Sequence, residues 1–356
     1  MRDPLAGVTD PLLEIDGLSQ VERVRRGILV HAHTPRPPIG QTPSQVVHRQ
    51  DKLLLRYYAP STRQHALPVV LVPSLINKAS ILDLEQDRSL VRALAEAGHP
   101  VYLVDWGVPG PEDADEDVGY VLEVLLRRSV DRAMRHAGAQ QAHLFGYCMG
   151  GTLAAMYAAL HPQRLASLVL LNAPFRFSDA GRFHDFVQGL DLDATLSEGL
   201  VPVEVMQPAF KLLDPMGNWS KYLGIEAASR DPHKLVRALA RERWLEENVP
   251  VSGAFAREFI GRAYQDDALL AGTWSIRGRR VDLGRVTCPT LVVACEADFI
   301  APKEAVLPVL EVLPNARSEV LPVGHIGVVV GGFGPKVFYP MLDAWFSSPE
   351  TADGAA

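Results

Sequence analysis

The sequence predicts an α/β fold with a mostly parallel central sheet and one helical insertion. Short apolar runs alternate with helical patterns from Lys52 to Phe346, and this alternation is interrupted once, over residues 174–277. Helices that separate buried strands are typical of parallel sheets, whose strands need long crossover connections. The composition agrees with a globular protein, since 47% of the 356 residues are hydrophobic and 22% are charged, which excludes wholesale disorder and a coiled coil.

The predicted strands are short apolar runs that end at turn residues. They cover residues 53–58, 69–72, 101–104, 143–145, 168–171, 291–294 and 318–321. Helical patterns lie among them at residues 84–97, 118–137, 151–160, 303–313 and 335–346. We therefore assign residues 51–173 and 278–348 to one α/β core.

The interruption consists of helical patterns and lacks any strong strand pattern. The patterns cover residues 183–190, 203–213, 235–247 and 254–263. We predict a helical cap over residues 174–277, at the carboxyl edge of the sheet, where open α/β sheets bind ligands. Residues 1–50 form an N-terminal segment with a helix over 19–31 and a proline-rich connector, and residues 349–356 are predicted to be a disordered tail.

Charge and cysteine content narrow the class of protein. With 35 basic and 42 acidic residues, the net charge of −7 argues against nucleic acid as the main partner. Three cysteines are too few for a disulfide framework and indicate a reducing compartment. The first 16 residues contain four acids and no apolar segment, which is unlike a secretory signal, and no stretch has the length of a membrane helix. We expect a cytoplasmic protein.

The sharpest local pattern is Gly146-Tyr147-Cys148-Met149-Gly150-Gly151, between a strand and an alanine-rich helix. It is the pattern of a nucleophile elbow, with cysteine at the serine position. The turn is strained and needs residues without bulk two positions before and after the nucleophile, which the glycines supply. The helix that follows directs its positive end at the sulfur and favours the thiolate. The alternative is an ordinary buried cysteine near a glycine-rich turn.

An acid and a histidine follow two late strands. Asp298 comes after residues 291–294, and His325, flanked by glycines, comes after residues 318–321. The chain order of nucleophile, acid and base is that of α/β-hydrolases. We predict that His325 takes the thiol proton and that Asp298 orients its ring. Two alternatives remain open, since Glu296 is a competing acid and Asp298 has the sequence context of a helix cap or turn residue.

Two backbone N–H groups are predicted to form the oxyanion hole. One is that of Met149, directly after the nucleophile, and the other comes from the loop Val72-Pro73-Ser74-Leu75-Ile76-Asn77-Lys78. Ile76 is our choice in that loop, with Leu75 as the next candidate. The alternative is a plain connection between a strand and a helix.

Other chemistry-bearing residues suggest structural roles. Cys288 and Cys295 lie in or beside apolar strand sequence and are predicted to be structural. His31 and His33 have no further ligands in register, so no metal site is predicted, and the absence of phosphate-binding and dinucleotide motifs predicts no cofactor. The aromatic residues of the insertion are expected in its core, with some lining an acyl channel: Phe175, Phe177, Phe183, Phe186, Trp219, Tyr222, Trp244, Phe255, Phe259 and Tyr264.

Cysteine in place of serine changes the energetics of acyl transfer. An acylated thiol is a thioester, which is nearly equal in free energy to a thioester substrate. Acyl groups can therefore be loaded from coenzyme A onto Cys148 reversibly and passed on to a hydroxyl group.

Several motifs together resemble the catalytic subunit of short, two-subunit polyhydroxyalkanoate synthases, which have the α/β-hydrolase fold. The resemblance covers residues 42–346 and is carried by these motifs: Asp51-Lys52-Leu53, Leu75-Ile76-Asn77-Lys78, Ile81-Leu82-Asp83-Leu84, Val101-Tyr102-Leu103-Val104-Asp105-Trp106-Gly107, the elbow, Arg280-Val281-Asp282-Leu283 and Gly324-His325-Ile326-Gly327.

The resemblance implies an acyltransferase that polymerises (R)-3-hydroxyacyl-CoA, chiefly 3-hydroxybutyryl-CoA, into polyester with release of CoA. Cys148 would carry the chain as a thioester, His325 would deprotonate it, and Asp298 would either orient His325 or activate the substrate hydroxyl. Acyl-CoA would be a substrate and not a cofactor. The resemblance also implies a second, non-catalytic subunit, a homodimer or hetero-oligomer, and location at cytoplasmic polyester granules. The alternatives are a cysteine hydrolase of thioesters, lactones or polyesters, and a non-catalytic granule protein.

Overall fold

A computed structural model describes residues 19–195, 199–207 and 217–349 of the chain. The disordered tail predicted for 349–356 lies, except for its first residue, outside the described residues. Of the helix predicted for 203–213, residues 203–207 are helical, and the remaining residues lie outside the described part of the chain.

The core is an eight-stranded sheet with the spatial order β1-β2-β4-β3-β5-β6-β7-β8. The strands are β1 (Gln45–Gln50), β2 (Leu53–Tyr58), β3 (Val69–Val72), β4 (Val101–Asp105), β5 (Ala142–Tyr147), β6 (Leu165–Leu171), β7 (Thr290–Cys295) and β8 (Ala316–Leu321). β1 and β4 each pair antiparallel with β2, and all other pairs in the sheet are parallel. The prediction of a mostly parallel sheet is confirmed.

The parallel strands read as apolar runs because helices cover both faces of the sheet. Every residue of β3, β5 and β7 is buried, as expected for strands enclosed on both sides. The sequence did not predict β1, because its residues Gln45–Gln50 are polar and lie partly exposed at the sheet edge. The N-terminal segment therefore contributes a strand to the central sheet.

The helices agree with the sequence patterns at most positions. They are α1 (Gln20–His33), α2 (Leu90–Glu96), α3 (Val118–Tyr120, the π-helical turn Val121–Leu126 and Arg127–Ala137), α4 (Met149–Leu160), α5 (Gly181–Gln188), α6 (Leu192–Thr195), α7 (Gly217–Ala228), α8 (Pro232–Glu246), α9 (Gly253–Phe259, continued by Ile260–Gln265), α10 (Lys303–Val306), α11 (Gly327–Val330) and α12 (Gly334–Phe338 followed by Tyr339–Ser347). In the described ranges no helix combines the length and the apolar character needed to cross a membrane.

One predicted helix begins later than expected. The pattern at 84–97 becomes a small hairpin of Asp83–Glu85 and Arg88–Ser89, and α2 begins only at Leu90. The buried Asp83 carboxylate accepts hydrogen bonds from the hydroxyls of Thr42 and Ser89 at 2.5 and 2.6 Å. Ser89 also accepts from the Arg92 N–H and so caps α2. This network of polar side chains delays the start of the helix to Leu90 and cannot be recognised from hydrophobic periodicity.

Helices α5–α9 lie between β6 and β7 in the chain and face the carboxyl edge of the sheet. The cap contacts the loop after β3, where the Trp244 indole donates to the Lys78 carbonyl at 2.8 Å. It also contacts the loop after β4, where the Ser252 hydroxyl hydrogen-bonds to the Ala114 and Glu116 carbonyls at 2.7 Å. The sequence did not predict α7, whose residues include Gly217 and Gly224 and are weakly amphipathic.

The N-terminal helix α1 packs directly against α7. At Gly27, a Cβ atom would lie under 3.0 Å from the carbonyl of Tyr222, so the two helix backbones touch there. Nearby, the fully buried Glu226 carboxylate accepts from Arg23 at 2.9 Å and from Arg230 at 3.3 Å. A buried carboxylate is tolerated only with such partners, so this ion cluster fixes α1 on the cap.

We predict that Glu226→Gln, which keeps the shape and removes the charge, lowers the free energy of unfolding by about 2 kcal/mol, because the buried side chain loses its charge-assisted hydrogen bonds from Arg23 and Arg230. Urea unfolding followed by tryptophan fluorescence measures the loss, and tryptic cleavage within α1 should accelerate. The control is Glu96→Gln, whose ion pair with Arg92 is exposed and should be worth at most about 1 kcal/mol. Equal effects of the two changes would contradict the prediction.

Candidate active site

The elbow places Cys148 between β5 and α4. Its backbone has φ 56° and ψ −132°, a strained conformation for a residue with a side chain. Two hydrogen bonds hold it there: the Cys148 N–H donates to the Leu171 carbonyl at 2.9 Å, and the Cys148 carbonyl accepts from the Gly151 N–H at 2.8 Å. The turn leaves the thiol half-buried and reduced, at the N-terminus of α4.

The glycines around Cys148 are required by packing. A Cβ on Gly146 would lie under 3.0 Å from Gly151, and a Cβ on Gly150 would lie under 3.0 Å from the carbonyl of Val72. Either side chain would push α4 away from the sheet. The predicted need for small residues two positions before and after the nucleophile is met by this contact between backbones.

His325 and Asp298 lie beyond the ends of β8 and β7 and form a hydrogen bond. The His325 Nδ1 atom is 2.6 Å from Asp298 Oδ2, and both side chains are buried. The other oxygen of Asp298 accepts from the N–H groups of Ile300 and Ala301, both at 2.9 Å. Asp298 is thus both a turn residue and the partner of His325. The competing Glu296 instead accepts from Lys303 at 2.6 Å.

Two side chains that the sequence did not single out hold the backbone of His325. The Tyr147 hydroxyl donates to the His325 carbonyl at 3.0 Å, and the Asn172 amide donates to it at 3.3 Å. Tyr147 precedes the elbow cysteine and Asn172 follows β6 with φ 47°. The positive φ of an asparagine at a strand end is a signal of function or strain, but it is visible only in the structure.

The charges around His325 favour its protonated form. Burial by itself lowers the pKa of His325. The negative charges of the Cys148 thiolate and of Asp298, together with hydrogen bonds to both, outweigh burial and raise the pKa of His325 to about 10. The arrangement therefore supports a protonated His325 ring between the sulfur of Cys148 and the carboxylate of Asp298.

The cap brings one aromatic side chain close to this charge. Burial, and then the negative charge of Cys148, raise the pKa of Tyr264. Tyr264 belongs to a ring cluster in which its centroid lies 4.7 Å from Phe177 and 4.9 Å from Phe183. The sequence predicted this residue only as a core or channel aromatic, and nothing in its local pattern indicates its proximity to Cys148.

The two predicted oxyanion donors lie on separate elements. Met149 is the first residue of α4, where backbone N–H groups have no helical acceptor. Ile76 lines the same cleft as Cys148, and its carbonyl accepts from the Val249 N–H at 3.1 Å and from the Asn248 amide at 3.3 Å. Leu75, the other candidate, lines a separate small cavity instead. The loop that carries Ile76 is thus attached to the cap.

The cleft that contains Cys148 and His325 has a volume of about 1060 Å³ and is lined by both core and cap. Tyr222 and Trp244 contribute to its aromatic wall, whereas Phe175, Phe177, Phe255 and Phe259 are buried core residues. Of the described lining residues, six are basic and three are acidic: Lys78, Arg88, Lys221, Lys234, Arg237 and Arg241 against Glu85, Glu242 and Glu246. The cleft has room for a long ligand, and its charge suits a partly anionic one.

Among the described residues, the remaining cysteines and histidines do not line this cleft. Cys288 and Cys295 are buried, and burial raises the pKa of each thiol to about 11. His31 Nε2 lies 3.2 Å from Glu246.

One histidine cluster has the composition of a metal site. His65, His99 and Asp343 bring their ligand atoms within 4.8 Å of one another. The His65 and His99 rings stack at 3.8 Å and 9°, and His99 Nε2 lies 2.8 Å from Asp343 Oδ1. Nitrogen lone pairs of stacked rings run parallel and do not converge on one ion. The cluster is a hydrogen-bonded stack that connects α12 to the sheet.

Two family models match the chain. One, described as alpha/beta hydrolase fold, matches residues 67–331. The other, described as Poly-beta-hydroxybutyrate polymerase (PhaC) N-terminus, matches residues 37–94. Together they cover the sheet, the elbow, the cap and His325.

Curated relatives match along most of the chain. The poly(3-hydroxyalkanoate) polymerase subunit PhaC of Haloferax mediterranei is 33% identical over 317 residues, which are 87% of this chain and 64% of that protein. The subunit of the same name from Allochromatium vinosum is 32% identical over 86% of this chain and 89% of its own length. The subunit of the same name from Synechocystis is 30% identical over 87% of this chain and 85% of its own length. The chain spans under two thirds of the Haloferax protein and most of the other two.

Solved structures share the fold at low sequence identity. A putative non-heme bromoperoxidase from Mycobacterium tuberculosis has a TM-score of 0.54 at 18% identity, covering 85% of this chain and 100% of that one. A monoacylglycerol lipase from Paleococcus ferrophilus has a TM-score of 0.53 at 18% identity, and the match covers 83% of this chain and 98% of the lipase. These similarities support the α/β hydrolase fold and say nothing further about function.

We predict that Cys148→Ala lowers the pKa of His325, because the change removes the thiolate charge that stabilises the imidazolium. NMR titration of the His325 ring should give a value near 10 in the wild type and a lower one in the variant. The folded pKa exceeds the value of 6.5 for an ordinary histidine, so the stabilisation from His325 is full below about pH 6.5 and is lost as the pH rises through about 10. Identical titrations in both proteins would contradict the ion pair.

Proposed function

Because the chain belongs to the poly(3-hydroxyalkanoate) polymerase PhaC family, within the α/β hydrolase fold, we propose that it is the catalytic subunit of a polyhydroxyalkanoate synthase. As an acyltransferase it would polymerise (R)-3-hydroxyacyl-CoA, chiefly 3-hydroxybutyryl-CoA, into polyester and release CoA. The observation that carries the proposal is a thiol on a nucleophile elbow, hydrogen-bonded to a histidine that a buried carboxylate orients.

The first half-reaction loads an acyl group onto the enzyme. The Cys148 thiolate attacks the thioester carbonyl, and the resulting oxyanion accepts hydrogen bonds from the Met149 and Ile76 N–H groups. The bond to CoA then breaks, and the His325 imidazolium gives its proton to the departing CoA thiolate. The acyl group remains on Cys148 as a thioester, and His325 is left neutral, ready to act as a base.

The second half-reaction extends the polyester. Neutral His325 removes the proton from a 3-hydroxyl group, whose oxygen attacks the thioester carbonyl on Cys148. An ester bond forms, the bond to Cys148 breaks, and the thiolate and imidazolium pair is restored. Both Asp298 oxygens already accept hydrogen bonds, one from His325 and one from two backbone N–H groups. This arrangement favours the role of orienting His325 over direct activation of the substrate hydroxyl.

The nucleophile and the cleft favour an acyl-CoA substrate, and the family relationship favours transfer to a hydroxyl over hydrolysis. A thiol conserves the free energy of the thioester substrate, so loading from CoA is reversible. Six basic residues line the cleft against three acidic ones. Five of the six form ion pairs with acidic side chains, and the excess of positive charge in the lining favours the phosphate groups of CoA, which a neutral ester or lactone lacks. The family relationship supports transfer to a hydroxyl, since the curated relatives carry the polymerase name.

A partner subunit is part of the proposal. The relatives are named as polymerase subunits, and we propose that this chain likewise works with a second, non-catalytic subunit. We further propose a homodimer or hetero-oligomer that acts at the surface of cytoplasmic polyester granules.

We predict that the purified protein, alone or with its partner subunit, releases CoA from (R)-3-hydroxybutyryl-CoA and forms insoluble polymer. CoA is measured with a thiol reagent, and polymer by turbidity and by chromatography after methanolysis. Free 3-hydroxybutyrate without polymer, with the partner present, would replace the proposal with a thioester hydrolase. The absence of CoA release under both conditions would contradict both activities.

We predict that Cys148→Ala abolishes CoA release, because no other described thiol lies in the cleft. The matched control is Cys288→Ala, which removes a buried thiol outside the cleft and should leave the rate within about threefold of the wild type. Circular dichroism and the melting temperature verify the fold of both variants. Undiminished turnover in Cys148→Ala would refute the elbow as the acyl-carrying site.

A further inference from the structure

A buried hydroxyl in the active-site cleft has no hydrogen-bond partner. The Ser74 side chain is only 6% exposed, and within the described part of the chain its Oγ atom meets no donor or acceptor. Ser74 nevertheless lines the same cleft as Cys148 and His325. Buried polar atoms are nearly always paired in folded proteins, so an unpaired one at an active site requires an explanation.

The sheet places Ser74 beside the nucleophile. Strands β3 and β5 are parallel neighbours, with Val72 paired to Gly146, so Ser74 and Cys148 are each the second residue beyond this pair. Neighbouring strands lie about 4.8 Å apart. The loop is held close to the elbow, because Gly150 packs against the carbonyls of Val72 and Pro73.

The neighbouring groups indicate what Ser74 does. The loop that carries Ser74 also carries Ile76, and it packs against α4, which begins with Met149. The hydroxyl therefore shares a loop with one proposed oxyanion donor and lines the cleft next to the helix that carries the other. A side-chain hydroxyl is a common third donor for such an oxygen.

We propose that the Ser74 hydroxyl donates a hydrogen bond to the acyl carbonyl oxygen as that oxygen becomes negatively charged. The inference rests on the acyl transfer proposed above. When the Sγ–C bond forms, the π electron pair of the carbonyl moves to oxygen, and Ser74 stabilises it without giving up its proton. When the bond to CoA breaks, the carbonyl reforms and the hydrogen bond weakens. Ser74 acts in both half-reactions, since each passes through such an oxyanion.

The unpaired state of the hydroxyl in the ligand-free fold is consistent with this role. A donor that already had a protein acceptor would have to break that bond before it could bind the oxyanion. A donor without a partner is preorganised, and the fold is less stable for it. The structure offers a matched comparison in Ser80, whose hydroxyl is also buried and unpaired. Ser80 lies six residues further along the same segment and does not line the cleft.

The test compares two reactions of Cys148 in wild type, Ser74→Ala and Ser80→Ala. Acylation by p-nitrophenyl butyrate passes through an oxyanion, whereas alkylation by iodoacetamide does not. We expect Ser74→Ala to slow acylation by about 10- to 100-fold, somewhat less than the loss of a principal oxyanion donor, and to leave the alkylation rate unchanged. With (R)-3-hydroxybutyryl-CoA, kcat should fall by a similar factor while KM changes less than about twofold, because the bond strengthens only in the transition state.

The melting temperature provides a second test. If Ser74 had only a structural role, Ser74→Ala would lower the melting temperature, whereas the proposal predicts no decrease. Removing an unpaired buried hydroxyl should leave the melting temperature of Ser74→Ala and Ser80→Ala unchanged or higher. Ser80→Ala should keep both wild-type rates, and Ser74→Thr, which retains a hydroxyl, should recover part of the lost acylation rate.

Three outcomes would overturn the role of Ser74. They are wild-type acylation in Ser74→Ala, an equal fall in alkylation, and a lower melting temperature that accounts for the loss of rate. Failure of the polymerase proposal is distinguishable from these, because the ester and iodoacetamide assays report on Cys148 and its oxyanion in any acyl-transfer enzyme.

Discussion

The geometry of the site depends on the backbone conformation of Cys148. A φ of 56° is unfavourable for cysteine. The hydrogen bonds of the Cys148 backbone and the close packing of the neighbouring glycines hold the residue in this conformation. Gly150 and Gly151 let α4 approach the ends of β3 and β6 so closely that a Cβ atom would not fit. This contact directs the thiol into the cleft, puts the start of α4 behind it, and brings the loop after β3 alongside.

A second constraint is the continuous line of charge from Cys148 through His325 to Asp298. In a buried setting these charges influence one another strongly, and the raised pKa of His325 expresses that coupling. Hydrogen bonds from the surrounding structure hold both Asp298 and the backbone of His325 in place. Backbone N–H groups hold Asp298, and the Tyr147 hydroxyl and the Asn172 amide hold the carbonyl of His325. In the acyl transfer proposed above, this arrangement lets the proton move with little movement of heavy atoms.

The cap is connected to the chemistry and does not simply cover it. The loop with Ile76 and Lys78 is hydrogen-bonded to the cap through Asn248, Val249 and Trp244. A displacement of the cap would therefore also move the loop that carries Ser74 and Ile76. The solved neighbours of this fold include a lipase and a peroxidase-like protein, which illustrates that the scaffold permits several reactions.

The sequence by itself determined the parallel strands, the elbow at Cys148, and the positions of Asp298 and His325 just beyond the last two strands. These features are encoded locally, by apolar runs, by glycines at fixed spacing and by a residue just beyond a strand end. The polar edge strand Gln45–Gln50 and the glycine-containing helix Gly217–Ala228 escaped prediction because their local patterns are weak and their stability comes from neighbours. Only the tertiary structure decided which acid meets the histidine, since Asp298 and Glu296 differ by two positions in the chain and face different partners. It alone revealed the unpaired hydroxyl of Ser74, because the partners of a buried polar group are set by residues distant in sequence.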